Sequence, residues 1–280
     1  MIRRPAPATS RQRKRVPAGA SRASGTTAAP RHGLARVLSK LGVCSRTEAA
    51  RWIAAGRVSV AARVVRDPAY PVRADQQSII RVDGQPLTGP ARCYLMLNKP
   101  RGVVTSVRDE QGRDTVYRCF DDAGLPWIAP VGRLDKASEG LLLFSNDPQW
   151  AAAVTDPATG PDKTYHVQID CRPSAAQLAQ LQAGVVDPDP ESEGVLLRAK
   201  RVVMLREGER NAWLEIVLDE GRNRQIRRLL AAVEIGVLRL VRVAIGSLAM
   251  GELGKGAWRM LSPEEVSALT SAPANAPGAR

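Results

Sequence analysis

The sequence predicts an α+β fold, with a small N-terminal α+β unit followed by a larger domain built on a mainly antiparallel sheet. Beyond Gly89-Pro90, runs of strand character outnumber helical ones and are spaced for hairpins. Helical signals are short and well separated, and no Rossmann or P-loop glycine pattern occurs anywhere in the 280 residues. With 44% apolar and 25% charged side chains, the chain has enough material to bury a core in one or two domains.

Residues 1–32 carry Arg3, Arg4, Arg11, Arg13, Lys14, Arg15, Arg22 and Arg31 among Pro, Ala, Ser, Gly and Thr, with no acid and almost nothing to bury. Such a composition predicts a disordered basic tail. It holds eight of the thirteen net positive charges, so the rest of the chain is far less basic than the total suggests. Two uses are open, an arm lying along phosphates and a solubilising extension. The overall charge of +13 makes nucleic acid the first partner to consider and anionic membrane the second. No segment approaches 18 consecutive apolar residues and Met1 to Ala20 has no apolar stretch. Neither a membrane span nor a secretory signal is therefore expected, and a cytoplasmic location is. The four cysteines, Cys44, Cys93, Cys119 and Cys171, stand far apart, and the only histidines are His32 and His166. No metal and no disulfide framework is expected from that spacing, and the cysteines read as small apolar residues.

From Gly33 to about Gly84 the pattern changes. Leu34, Val37, Leu38 and Leu41 fall at i, i+3, i+4 and i+7, the stripe of a short helix that Gly42 ends. Ser45 with Glu48 reads as a capping box opening a second helix through Ala49, Trp52 and Ile53 to a stop at Gly56. Short strands follow at Val58 to Val60, Arg63 to Val65 and Ile79 to Val82. The run from Leu34 to Ala49 closing with Gly56-Arg57-Val58-Ser59-Val60 resembles the ribosomal protein S4-like RNA-binding domain. The resemblance implies that Arg36, Lys40, Arg46 and Arg51 face RNA phosphates; on charge alone they could equally form a solvated helix face. Where that family has Asn-Gly in its hairpin this chain has Ala61-Ala62, poorly suited to positive φ, so a longer or differently shaped turn is expected.

After the connection at Pro86 to Pro90, expected to be flexible, strands are predicted at Tyr94 to Leu97, Val103 to Ser106, Leu141 to Ser145, Thr164 to Ile169, Trp213 to Leu218 and Val237 to Val243. Helices are predicted after Asp147-Pro148, over Ser174 to Leu181, and from Ser262-Pro263-Glu264-Glu265. Gly132 to Gly140 precedes an apolar strand and reads as a loop delivering charged groups to a strand end. Within it Asp135 lies between Arg133 and Lys136, which would keep its carboxylate ionised and fit to act as a nucleophile or charge stabiliser; a surface turn with salt bridges is the other reading. If Gly221 to Leu230 is helical, Ile226, Leu229 and Leu230 are buried while Arg224, Arg227 and Arg228 share another face, either gripping phosphates or simply solvated. Tyr165 is either a half-buried strand aromatic or a platform for a flipped base.

The succession Leu97-Asn98-Lys99-Pro100-Arg101-Gly102, Val131-Gly132-Arg133-Leu134-Asp135, Lys163-Thr164-Tyr165 and Glu220 to Arg228 is similar to the ribosomal RNA pseudouridine synthases of the small- and large-subunit single-site type. With the first unit the likeness spans about residues 33 to 266. It implies an S4-like domain at 33–90, a catalytic domain with a bent, mainly antiparallel sheet and central cleft at 91–268, and a flexible tail at 269–280. It also implies catalytic Asp135, with Arg133 filling the space of an everted nucleotide, Tyr165 stacking on the target uracil and Arg222 pairing with the aspartate. Lys99 and Arg101 would line the RNA side of the cleft. Ser138 keeps the hydroxyl of a common Thr, and Arg224 stands where related groups have His. The expected activity is cofactor-free isomerisation of a uridine in ribosomal RNA, 23S rather than 16S, by a monomer. The rivals are a non-catalytic rRNA-binding assembly factor and a hydrolase using Asp135 with Glu139 as a carboxylate pair.

Overall fold

The structure, a computed structural model, describes residues 31–107, 109–192 and 194–271. The first thirty residues of the expected basic tail lie outside that range. Its last two belong to the folded unit: β1 (Arg31–Gly33) pairs antiparallel with β4 (Pro71–Arg73).

Two helices, α1 (Leu34–Lys40) and α2 (Arg46–Ala54), pack beside a sheet ordered β3-β2-β5-β6, formed by β2 (Val58–Val60), β3 (Arg63–Val64), β5 (Ile80–Val82) and β6 (Gln85–Pro86). Leu34, Val37 and Leu38 are buried against Ala49, Ile53, Val58, Val72 and Ile80, as their period requires. Ser45 Oγ accepts from Glu48 N at 3.0 Å. The Glu48 carboxylate accepts from Trp52 Nε1 and Arg51 Nη1, one turn onward along the helix. Gly42 is required twice over, by its φ of +74° and because a Cβ there would lie 2.5 Å from the Asn146 carbonyl oxygen of the second domain.

Contrary to expectation, Ala61-Ala62 forms a two-residue turn, with Val60 facing Arg63 and φ values of 49° and 65°. Burial of Val58, Val60 and Val65 fixes the hairpin register, so the turn must adopt the left-handed conformation whatever residues occupy it. The double variant Ala61→Asn, Ala62→Gly is expected to gain about 1 kcal/mol by removing that strain, seen as a raised urea midpoint at unchanged slope.

The second domain is a nine-stranded sheet ordered β13-β14-β10-β15-β9-β7-β17, with β8 on β9 and β16 on β15. Its strands are β7 (Tyr94–Lys99), β8 (Ala129–Val131), β9 (Glu139–Ser145), β10 (Lys163–Ile169), β13 (Arg201–Glu207), β14 (Ala212–Leu218), β15 (Val237–Ile245), β16 (Leu248–Ala249) and β17 (Trp258–Met260). A separate ribbon joins β11 (Val185–Val186) to β12 (Leu196–Leu197). Among the described residues every strand pair is antiparallel except β15 with β9, joined through Val241↔Glu139 and Arg242↔Gly140. Four helices flank the sheet: α3 (Pro148–Thr155), α4 (Ala175–Ala183), α5 (Gln225–Ala231) and α6 (Pro263–Ala268). The predicted caps at Asp147 and Ser262 are in place.

Strands β7 and β9 alternate between two cores. Leu95, Leu97, Leu142 and Phe144 face one, while Met96, Leu141 and Leu143 face the other. Burial on both faces is why these strands read as unbroken apolar runs. Leu269, expected in the flexible tail, is buried in the second core beside Trp150. Val103 to Ser106 is not a strand. It makes one isolated bridge, Val104↔Thr115, and its polar groups brace the loop described next.

Candidate active site

Residues 132–138 link β8 to β9 and carry Asp135. Three donor groups anchor this loop through its backbone. Thr105 Oγ1 donates to Leu134 O at 2.7 Å, Gly102 N donates to Lys136 O at 2.8 Å, and the Lys99 ammonium donates to Asp135 O, Ser138 O and Pro100 O at 3.1, 2.8 and 3.1 Å. All three ammonium hydrogens are thus used. Lys99 is fully buried, which corrects the expectation that it lines the RNA side of the cleft. As the last residue of a strand buried on both faces, its side chain turns inward under the loop. Burial pushes its pKa down to about 8 against the opposing pull of Asp135 and Glu139. Arg101, two residues on, is exposed.

The Asp135 side chain is one-third exposed in a cleft of about 660 Å³. Arg133, Ser138, Tyr165, Arg222 and Arg224 also line it. Tyr165 is in the middle of β10, buried at the cleft floor. Arg133 is exposed at the rim. Opposite stands the segment leading into α5, and here the expected pairing changes. Arg222 Nε donates to Glu220 Oε2 at 2.8 Å, whereas Arg224 Nη1 lies 4.0 Å from Asp135 Oδ2. The cause is local. Arg224 caps α5 in the left-handed conformation, φ 50° and ψ 28°, which turns its side chain rather than that of Arg222 toward the aspartate. A non-glycine residue in that region stores strain of about 1–2 kcal/mol, common at functional sites.

The other two arginines of α5 do not share an open face with Arg224. Arg228 is ion-paired through Nη1 with the buried Asp187 and bonded through Nε to Asn223 O. It anchors the helix to the segment after β11. Arg227 is half-buried behind the aspartate loop, with Nη2 3.5 Å from Ala137 O. Burial and the charges of Arg224 and Arg101 push its pKa down, opposed by Asp135.

Glu139 does not line the cleft. Its carboxylate takes two hydrogen bonds from Arg239 and lies 3.2 Å from Lys255 Nζ; burial raises its pKa, but these bonds outweigh that and leave it lowered. A hydrolytic pair with Asp135 has no geometric basis. Arg36, Lys40, Arg46 and Arg51 are exposed on the two helices of the first unit, apart from the cleft, with Arg51 also bonded to Glu48. An exposed pair of that kind contributes under about 1 kcal/mol and can open for a phosphate. Cleft residues that the sequence reading did not single out are Lys163, Glu220, Gln225 and Arg242. Gln225 bonds both Glu220 and the Arg222 backbone, and its position beside the arginines in the same motif was the available signal.

The RNA pseudouridylate synthase family matches residues 93–232, and the S4 domain matches residues 33–78. An uncharacterized RNA pseudouridine synthase of Aquifex aeolicus is 34% identical over 239 residues, covering 85% of this chain and 93% of its own. The ribosomal large subunit pseudouridine synthase B of Bacillus subtilis is 33% identical, covering 84% of this chain and 94% of its own. A ribosomal large subunit pseudouridine synthase E of Xanthomonas campestris is 38% identical over 59% of this chain and 94% of its own. A solved pseudouridylate synthase superposes with a TM-score of 0.57 at 27% identity, covering 85% of this chain and 99% of that one.

Proposed function

Because the chain belongs to the RNA pseudouridylate synthase family and carries an N-terminal S4 domain, we propose that it isomerises a specific uridine of 23S ribosomal RNA to pseudouridine, with Asp135 as the catalytic group. The observation that carries this reading is the Asp135 carboxylate, set on a braced loop and facing a guanidinium across a cleft floored by Tyr165. The choice of the large subunit rests on the relatives named as large-subunit synthases.

The reaction breaks N1–C1′, turns the freed uracil and forms C5–C1′; the C5 hydrogen leaves as a proton and N1 gains one. Redox state and composition are unchanged, so side chains supply all the chemistry required. The electron pair of the broken bond departs with the uracil, and the Asp135 carboxylate either bonds to C1′ or removes a sugar proton. Eversion of the nucleotide costs a few kcal/mol of lost stacking, which Tyr165 beneath the base and Arg133 in the vacated space offset. Arg36, Lys40, Arg46 and Arg51 hold the surrounding RNA by its phosphates, and exposed Arg101 adds to them at the cleft. The same reading takes the protein to act as a monomer in the cytoplasm, where ribosomal RNA resides.

The test uses transcripts of 23S and 16S RNA labelled with tritium at uracil C5. Tritium release from 23S alone is expected, and carbodiimide treatment with primer extension locates the site. Binding without release would establish the assembly-factor alternative, and free uracil would establish hydrolysis.

A further inference from the structure

Arg242 is 6% exposed, lines the same cleft and has no carboxylate partner among the described residues. Its Nε donates to Leu141 O at 2.7 Å, while the buried Nη2 has no hydrogen-bond partner among them. A buried guanidinium with a free donor is costly unless a ligand completes it. The backbone aims this group. In the β10–β15 ladder Lys163 faces Ile245 and Thr164 faces Ala244, but Tyr165 faces Arg242, so Val243 is an extra residue in a bulge. In a regular strand Arg242 and Ile245, three residues apart, would project from opposite faces of the sheet; the bulge between them lets Ile245, Arg242 and Leu240 all line the same cleft as Tyr165. Directly opposed residues on one face have Cβ atoms about 5 Å apart, so the Arg242 and Tyr165 side chains leave neighbouring strands toward the same cleft. The strand is held at this point by its neighbour: Gly140 has φ +100°, and a Cβ there would lie 2.2 Å from the Arg242 carbonyl oxygen.

We propose that Arg242 is a further catalytic residue, whose Nη2 donates to a uracil carbonyl oxygen and stabilises the negative charge that the base acquires as N1–C1′ breaks. This rests on the reading of the cleft as a uridine site. The electron pair that leaves C1′ spreads over N1 and the two carbonyl oxygens, and is used again when C5 bonds to C1′. A donor fixed at one such oxygen acts where charge develops, the most effective position for electrostatic catalysis. A phosphate is the poorer ligand for this group. Phosphates belong at the cleft mouth with the exposed Arg133, Arg222 and Arg224, whereas Arg242 lies on the floor with the stacking ring.

Steady-state tritium release from the 23S transcript tests the assignment. Arg242→Met is expected to lower kcat by about 10²–10³-fold, with KM for the transcript within about threefold of wild type. Millimolar guanidinium chloride is expected to restore Arg242→Ala by about tenfold, and equal sodium chloride is not, a response that a purely structural role would not give. If Arg242→Ala does not fold, Arg242→Lys carries the test, with kcat expected about tenfold above that of Arg242→Met because the charge is kept. An unchanged kcat, a loss confined to KM, or a folded Arg242→Ala indifferent to guanidinium overturns the proposal. A wild-type enzyme that releases no tritium instead overturns the functional reading on which it rests.

Discussion

Asp135→Asn is expected to reduce tritium release from the 23S transcript by about 10⁴-fold or more, the scale on which enzymes lose rate when a nucleophile is neutralised. Fold and RNA affinity should survive the change. The loop is held through the carbonyl oxygens of Leu134, Asp135, Lys136 and Ser138, none of which the substitution alters. Among the described residues the carboxylate itself has only the 4.0 Å approach of Arg224 and is one-third exposed, so its loss should move stability by no more than about 0.5 kcal/mol. Removing one negative charge from a cleft lined by arginines should tighten RNA binding slightly. Asp135→Glu supplies the complementary measurement. It keeps the charge but displaces the oxygens by about 1 Å, and a misplacement of that size costs about 10²-fold. Turnover within tenfold of wild type in the asparagine variant, with binding intact by gel shift, would remove the aspartate from the mechanism.

The long apolar runs were legible because burial on two faces leaves no polar alternation to obscure them, and caps such as Asp147 and Ser262 were legible because their chemistry is local. What could not be read depends on partners distant in sequence. Ala61-Ala62 violates turn preference because a buried register overrides it. Lys99, beside Pro100, Arg101 and Gly102, has the composition of a surface loop, and only the return of β9 beside β7 shows that its ammonium lies under the aspartate. One left-handed residue decides that Arg224 rather than Arg222 faces Asp135. One extra residue in β15 likewise decides that Arg242 points into the cleft, and alternation alone gives no sign of it.

Lys99→Met should lower kcat by about 10²-fold although Asp135 is itself unsubstituted, because the side chain sets the height of the loop rather than touching RNA. The substitution keeps the length of the stem but leaves three carbonyl oxygens without their donor. Each buried acceptor so orphaned costs about 1–3 kcal/mol. The loop can recover that energy by shifting its carbonyls toward water, and the aspartate moves with it. A charge effect works the other way on stability. The folded pKa of about 8 lies below the ordinary lysine value, so the unfolded chain binds more protons between pH 8 and 10.5. The buried ammonium therefore destabilises the fold below pH 8, and that cost disappears as pH rises through the window. Activity should follow the opposite course. Above about pH 8 the amine has two hydrogens for three carbonyls, so kcat should fall. The methionine variant has no such group and should lack this alkaline limb. A pH profile of kcat for both proteins decides the matter, and an unchanged limb in Lys99→Met would assign the titration to another group and leave Lys99 a packing residue only.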